Sequence, residues 1–316
     1  MNKDQFKGIC RKTQDELKSY VVTKLKKHYD KIHLSKDFVY AEGSVPICLV
    51  AHMDTVHKES PKTFVFEGDK ISSPQGIGGD DRCGVYGIVK VYEATKQKPW
   101  LLFTCDEEIG GRGADGFCAA YLKGELPERL NDLKMLVELD RKGKNDAVYY
   151  SCDNPEFEEY ITSKGFRTSH GSFSDISSIA PCLGVAAVNL SCGYYNAHTL
   201  HECINRKHLN ATVRKVIGMV SDAEKPDFPK YDYIRSQRNY YYGSLWDDPY
   251  ADWEGYESGA MTGEPPKDLP PEYEEIYEEL LDIYEPEELD YFRMEYGNPI
   301  LRELYEQEYC LNTGRR

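Results

Sequence analysis

Apolar residues change their spacing repeatedly along this chain, and the changes outline its elements. From Asp4 to Tyr29 they recur at helical intervals (Phe6, Cys10, Leu17, Val21, Leu25), which predicts one amphipathic helix packed on the body. The period then shortens. Phe38-Val39-Tyr40 and Val45 to Val50 read as strands, the second running into Ala51-His52-Met53-Asp54. Thr63 to Phe66 and Lys70 to Ser73, joined around Gly68-Asp69, read as a hairpin. A glycine-rich loop from Gly76 to Gly79 precedes a helical stretch from Arg82 to Ala94. There follow a buried strand at Trp100 to Thr104, a helix at Ala114 to Leu122 and a buried strand at Met135 to Leu139. Then come Ala147 to Tyr150, a helix at Pro155 to Lys164, a strand at Val185 to Leu190 and a helix at Lys207 to Ala223.

Alternation of apolar strands with helices predicts an α/β fold, a three-layer sandwich whose mostly parallel central sheet has helices on both faces. Pro226 marks the end of this pattern. Residues 1–225 are read as one catalytic domain and residues 226–316 as a C-terminal extension, partly helical and partly linker. In the extension, Glu264-Pro265-Pro266 and Leu269-Pro270-Pro271 read as linker, Glu272 to Tyr284 as an acidic amphipathic helix and Pro299 to Tyr309 as a second.

Charge sharpens this division. The chain carries a net charge of -15, and the stretch from Tyr231 to Arg316 holds 22 acidic and 7 basic residues, a net of -15. The body is therefore neutral, with 32 of each sign. A neutral body argues against nucleic acid as its partner, because phosphate binding needs a basic surface. No apolar run reaches signal-peptide or membrane-spanning length, so a cytoplasmic protein without a membrane partner is expected. The 10 cysteines are scattered without a CxxC pair, as expected of reduced, mostly buried thiols. Fourteen of the 25 tyrosines lie from residue 231 onward, including Tyr240-Tyr241-Tyr242. The acidic extension reads either as a solvated appendage or as an arm for a protein partner, a second copy of the chain or the mouth of the site.

Polar clusters punctuate the ends of the predicted strands. His52 can bind a metal through one ring nitrogen while Asp54 receives the other N–H and fixes the tautomer. Asp80 and Asp81 lie side by side after Gly78-Gly79, where adjacent carboxylates repel unless a cation is present, although taken alone they read more readily as an acidic helix N-terminus. In Asp106-Glu107-Glu108, one carboxylate can ligate a metal while its neighbour acts as general base, and the following glycines let backbone approach closely. Asp140 ends another strand. His198 and His201 follow the last one, and either can supply a ring nitrogen. Each cluster alone is ordinary. Together they form a nitrogen and oxygen donor set suited to zinc, manganese or cobalt.

The ordered motifs His52-x-Asp54, Gly-Asp80-Asp81-Arg82, Asp106-Glu107-Glu108-x-Gly-x-Arg-Gly-Ala, Asp140 and His198-x-x-x-Glu202 resemble those of the co-catalytic dizinc exopeptidases. This superfamily includes peptidase T, the glutamyl aminopeptidases and the bacterial zinc aminopeptidases. The resemblance covers roughly residues 38–222. It implies that Asp80 bridges two divalent metals, most naturally zinc, with a cis peptide bond to Asp81. His52 and Asp140 complete one metal site, and Glu108 and His198 the other. Glu107 is implied to be the general base for the attacking water, and Asp54 to orient His52. His198 is preferred to His201 because Glu202 lies four residues past it.

The implied activity is hydrolysis of a peptide or amide bond in a small substrate, as in an aminopeptidase. An amidohydrolase or deacylase with the same metals, or a binding protein that works through the acidic extension, are the other readings. Only 57 residues separate Asp140 from His198, so a compact form is expected, without the inserted second domain of some relatives. Loss of that domain counts against carboxypeptidase specificity. Ser172-Phe173-Ser174-Asp175 is read either as a substrate-side loop or as a helix cap.

Overall fold

The computed structural model of the protein describes residues 1–236 and, beyond them, 269–281, 284, 289, 292–293 and 298–305. The chain opens with α1 (Lys3–Cys10), α2 (Gln14–Leu25), β1 (Ile32–Leu34), β2 (Phe38–Ala41) and β3 (Val45–His52). It continues with β4 (Val65–Glu67), β5 (Lys70–Ser72), α3 (Gly79–Ala94), β6 (Pro99–Thr104), α4 (Arg112–Leu122) and β7 (Met135–Arg141). After β8 (Asp146–Val148), α5 (Pro155–Ser163), β9 (Arg167–Ser169) and α6 (Asp175–Leu183) come β10 (Ala187–Ser191), β11 (Tyr194–Tyr195), β12 (Cys203–Asn205) and α7 (Arg206–Ala223).

Eight strands form the main sheet in the order β1-β2-β6-β3-β7-β10-β8-β9. The central four, β6, β3, β7 and β10, run parallel. The β2 and β8 neighbours run antiparallel to them. A separate antiparallel sheet, β11-β12-β5-β4, takes up the predicted hairpin. The predicted three-layer sandwich is thus observed.

Alternation along each central strand separates two cores. Ile47, Leu49 and Ala51 of β3 pack with residues of α1, α2, α3, α5 and α7, whereas Cys48 and Val50 pack with residues of α4 and α6. Val137 and Leu139 of β7 join the first core, and Leu136 the second. Helix α3 approaches the sheet closely because Gly84 faces it. A Cβ on Gly84 would lie 2.0 Å from the Leu139 carbonyl oxygen and 2.3 Å from an Asp81 carboxylate oxygen. Among the described residues, no helix is long and apolar enough to cross a membrane.

The N-terminal segment forms two helices rather than the one expected. Thr13 breaks it: its side chain accepts from the Glu16 amide while the Glu16 carboxylate accepts from the Thr13 amide, a capping box that starts α2. The apolar stripe continues across the break, which is why spacing alone missed it.

Two compact units are present, Met1–Asn239 and Tyr240–Arg316. The first extends past Pro226 because Phe228 and Tyr231 are buried in its larger core. The second contains α8 (Pro271–Leu280) and α9 (Pro299–Tyr305), with Leu269, Tyr277, Leu280, Phe292, Leu301 and Leu304 buried together. Leu269-Pro270-Pro271 is therefore not linker: Leu269 is core, and Pro271 occupies the first turn of α8, where a proline needs no donor. The predicted linker at Glu264-Pro265-Pro266, the Tyr240-Tyr241-Tyr242 run and the ends of the two predicted helices lie outside the described residues.

Candidate metal centre

Period-two alternation places a polar set on one face of the sheet. His52 follows Cys48 and Val50 on the α4/α6 face of β3, Thr104 follows Trp100 and Leu102, and Glu138 and Asp140 follow Leu136. All stand at or near the carboxyl ends of parallel strands, where open α/β sheets place their sites.

His52 is 1% exposed. Its Nδ1 lies 3.1 Å from Asp54 Oδ1. Its Nε2 lies 3.0 Å from Asp80 Oδ1 and 3.4 Å from Asp140 Oδ1. The other Asp80 oxygen, Oδ2, lies 3.3 Å from His198 Nε2, which is also 3.1 Å from Glu108 Oε2. Two clusters result, His52-Asp80-Asp140 and Asp80-Glu108-His198, and within each the donor atoms lie within 4.8 Å of one another. Asp80 belongs to both. Its peptide bond to Asp81 is cis. His201 is exposed, and its backbone amide donates to the Thr199 hydroxyl.

Asp54 holds both halves together. Besides facing His52, it accepts from the Glu107 amide (3.1 Å) through Oδ1 and from the Glu108 amide (3.0 Å) through Oδ2. Glu202 holds the Asp80 loop. Fully buried, it accepts from the Gly78 amide (2.8 Å) and the Asp80 amide (2.9 Å), and His57 Nε2 stands 2.7 Å from its Oε2. Arg82 is buried beneath the same loop and donates to the Met53 and Lys12 carbonyls. Behind Asp140, Asn189 accepts from the Asp140 amide and donates to its carbonyl. Farther in, Ser174 donates to Glu138 and Thr104 to Asp175. The Ser172–Asp175 segment also caps α6, with Ser174 and Ser177 forming a reciprocal pair.

The electrostatics follow from crowding acids out of water. Burial, and then the charge of Asp80, push Asp140 up to about 8. Burial pushes Glu107 up to about 9, with Asp140, Asp175 and Glu108 adding to it against the opposing His52. Burial opposes protonation of His52, but Asp140, Asp54 and Asp80 outweigh it and hold its pKa well above the usual histidine range. Hydrogen bonds to Asp80 and Glu108 raise His198 to about 12.

This donor set fits divalent cations. Each cluster offers one imidazole nitrogen and carboxylate oxygens, the borderline ligand mix that zinc takes. Glu108 Oε1 is buried without a hydrogen-bond partner, an orphan acceptor of the kind a cation would satisfy. Asp54 fixes the His52 ring so that Nε2 is the nitrogen left for a ligand.

The sequence motifs contain all five donors, Asp54 and Glu107. They do not single out His57, Asn189, Glu138 or Tyr194, whose hydroxyl donates to the Asp140 carbonyl (3.1 Å). A glutamate inside Met135-Leu136-Val137-Glu138-Leu139 was a usable signal, because a charge on the buried face of a strand needs a reason. His57 offered none, since its partner Glu202 lies 145 residues away.

No family model matches the sequence, and no match is found among curated proteins. Solved structures do match. Aminopeptidase PepT from Bacillus cereus shares 15% identity, with 70% of this chain and 98% of that chain covered at a TM-score of 0.55. An aminopeptidase from the archaeon Desulfurococcus kamchatkensis shares 16% identity, with 69% and 93% covered and a TM-score of 0.53. PhTET1-12s, a dodecamer in the asymmetric unit of its crystal, shares 13% identity, with 70% and 99% covered and a TM-score of 0.51. The chain therefore has the fold of these aminopeptidase structures.

Proposed function

We propose that the protein is a metal-dependent hydrolase of peptide or amide bonds, aminopeptidase-like, that works with two divalent ions, zinc foremost. One observation carries this reading. The two oxygens of a single buried carboxylate, Asp80, each face a different histidine, and each histidine is met by a further carboxylate.

In this reading His52 and Asp140 hold one ion, Glu108 and His198 the other, and Asp80 both. The ions would polarise the scissile carbonyl and acidify water. Glu107 takes the proton released by the attacking water and delivers it to the leaving amine. Its present preference for the protonated form comes from burial among carboxylates. Positive charge in the centre would lower its pKa, so the base would become competent only once the site is loaded. Asp54 is the orienting residue, fixing the His52 ring and the backbone of Glu107 and Glu108. The dodecameric neighbour supports a homo-oligomer as the working form.

The test is metal content by mass spectrometry together with hydrolysis of aminoacyl anilides. Wild type should hold about two ions per chain, Asp80→Ala should lose both, and Glu107→Gln should keep both while losing hydrolysis. A wild type that binds no zinc, manganese or cobalt would overturn the reading.

A further inference from the structure

Nine cysteines lie among the described residues, and seven of them are buried. The two that are half-buried, Cys118 and Cys182, stand on different helices, α4 and α6, yet they face each other. Cys118 Sγ lies 3.6 Å from the Ser178 carbonyl oxygen, one turn before Cys182 on α6. Cys182 Sγ lies 3.9 Å from the Cys118 carbonyl oxygen on α4. Each sulfur is thus turned toward the backbone that carries the other, and a hydrogen bond joins the two thiols. Beneath them the two helices share one core, in which Phe117 of α4 and Ile176, Ile179 and Ala180 of α6 are buried. The packed seam holds both backbones in place, so the encounter of the thiols does not wait on a loop closing.

The pair is also chemically unequal. Its hydrogen bond holds the Cys182 thiol below the usual thiol pKa, against the opposing effect of burial. The same bond, together with burial, pushes Cys118 far up. Cys182 therefore supplies the thiolate, at the accessible last turn of α6, while Cys118 stays protonated beside it. An attacking thiol and a neighbouring resolving thiol are the two parts that thiol–disulfide exchange needs. Burial raises the Cys10, Cys48 and Cys83 thiols, so these compete poorly for an oxidant.

We propose that Cys118 and Cys182 form a redox-modification site that reacts with a small-molecule disulfide of the glutathione type and ends as a disulfide bridging α4 and α6. The Cys182 thiolate attacks one sulfur of the oxidant, forming a mixed disulfide and releasing one small thiolate, which takes up a proton. Cys118 then gives its proton to solvent and attacks Cys182 Sγ. The mixed bond breaks, and the second small thiolate leaves and is protonated. Two protein thiols are oxidised, and one small disulfide is reduced to two thiols. The bridge encloses 63 residues, β7 among them, and so restrains the unfolded chain. The site uses none of the metal centre's donors, so it holds or fails independently of the hydrolase reading.

The experiment exposes the full-length protein to oxidised glutathione, blocks the remaining thiols with N-ethylmaleimide under unfolding conditions and maps the peptides by mass spectrometry. In wild type the peptides carrying Cys118 and Cys182 should be recovered linked, and the other cysteines blocked. Cys118→Ser should stop at the mixed disulfide on Cys182, for want of the resolving thiol. Cys182→Ser should slow modification at Cys118 at least roughly 10-fold relative to that step. The linked protein should melt about 4–16 °C above the reduced one, and dithiothreitol should reverse the rise. An unmodified pair, mixed disulfides at both positions without a link, linkage to another cysteine, or equal reactivity of the two variants would overturn the proposal. A linked protein that melts no higher than the reduced one would overturn the bridging of α4 to α6 as a restraint. Should a serine variant fail to fold, the wild-type peptide map and melting shift decide by themselves.

Discussion

Glu202 provides the sharpest test of how the centre is held. Its carboxylate accepts two backbone hydrogen bonds, from Gly78 through Oε2 and from Asp80 through Oε1, and it faces His57 through Oε2. Glutamine is nearly the same shape but has only one acceptor atom. With its oxygen toward Gly78 and His57, its amide NH2 points at the Asp80 N–H. Turned over, the NH2 points at the Gly78 N–H. In either orientation one buried backbone donor loses its acceptor. That loss costs about 1–3 kcal/mol, and replacing a charged acceptor by a neutral one adds about 1 kcal/mol. Glu202→Gln should therefore lose about 2–4 kcal/mol. In a domain of this size that lowers the melting temperature by about 4–16 °C. Because the displaced backbone carries Asp80, zinc affinity should also fall about 10–100-fold. Thermal unfolding of the metal-free protein measures the first effect and a zinc competition titration the second. His201→Ala, a change at an exposed neighbour, serves as the control. A Glu202→Gln protein that melts within about 1 °C of wild type, with unchanged zinc affinity, would refute the assignment of Glu202 and His57 as the support of the Asp80 loop.

Other consequences can be checked as directly. His198→Ala should lower metal content, whereas His201→Ala should leave it unchanged, as measured on metal-loaded protein. Burial holds Asp175 up at about 6 rather than 3.8, so its ionised form opposes folding. That penalty is absent below pH 3.8, grows as pH rises to about 6 and is fully present above it. Asp175→Asn should therefore be more stable than wild type at pH 7.5, by a margin that shrinks toward pH 4. Urea unfolding across that range decides, and a constant margin would contradict it. A chain ended after Pro229 should be less stable than one ended after Ser236, by about 3 kcal/mol or more. It loses buried Tyr231, which stacks on Tyr160 and whose amide and carbonyl bond Lys134 and Ala186.

The parallel core was legible because its strands are apolar on both faces and its helices keep a clear stripe, as α7 does with Leu209, Val213, Val216 and Val220. Short edge strands such as β1 and β9 were missed. At three residues each and with none of them fully buried, they are specified by their neighbours rather than by their own pattern. The residues that meet in the two clusters could be found because strand ends and glycines frame them. Their supports could not, because a hydrogen bond between residues far apart in sequence, such as His57 with Glu202 or Asn189 with Asp140, leaves no local period to read.

Asp54 has a consequence for how variants of this centre should be compared. One carboxylate fixes the ring of His52 and the backbone of both Glu107 and Glu108. A residue of one cluster, a residue of the other and Glu107 thus share a single anchor. Losses from removing Asp54 and from removing any of these three should not add, because the first change already displaces what the second deletes. A double substitution at positions 54 and 107 should be scarcely worse than the more damaging single one, and the departure from additivity would measure the coupling itself.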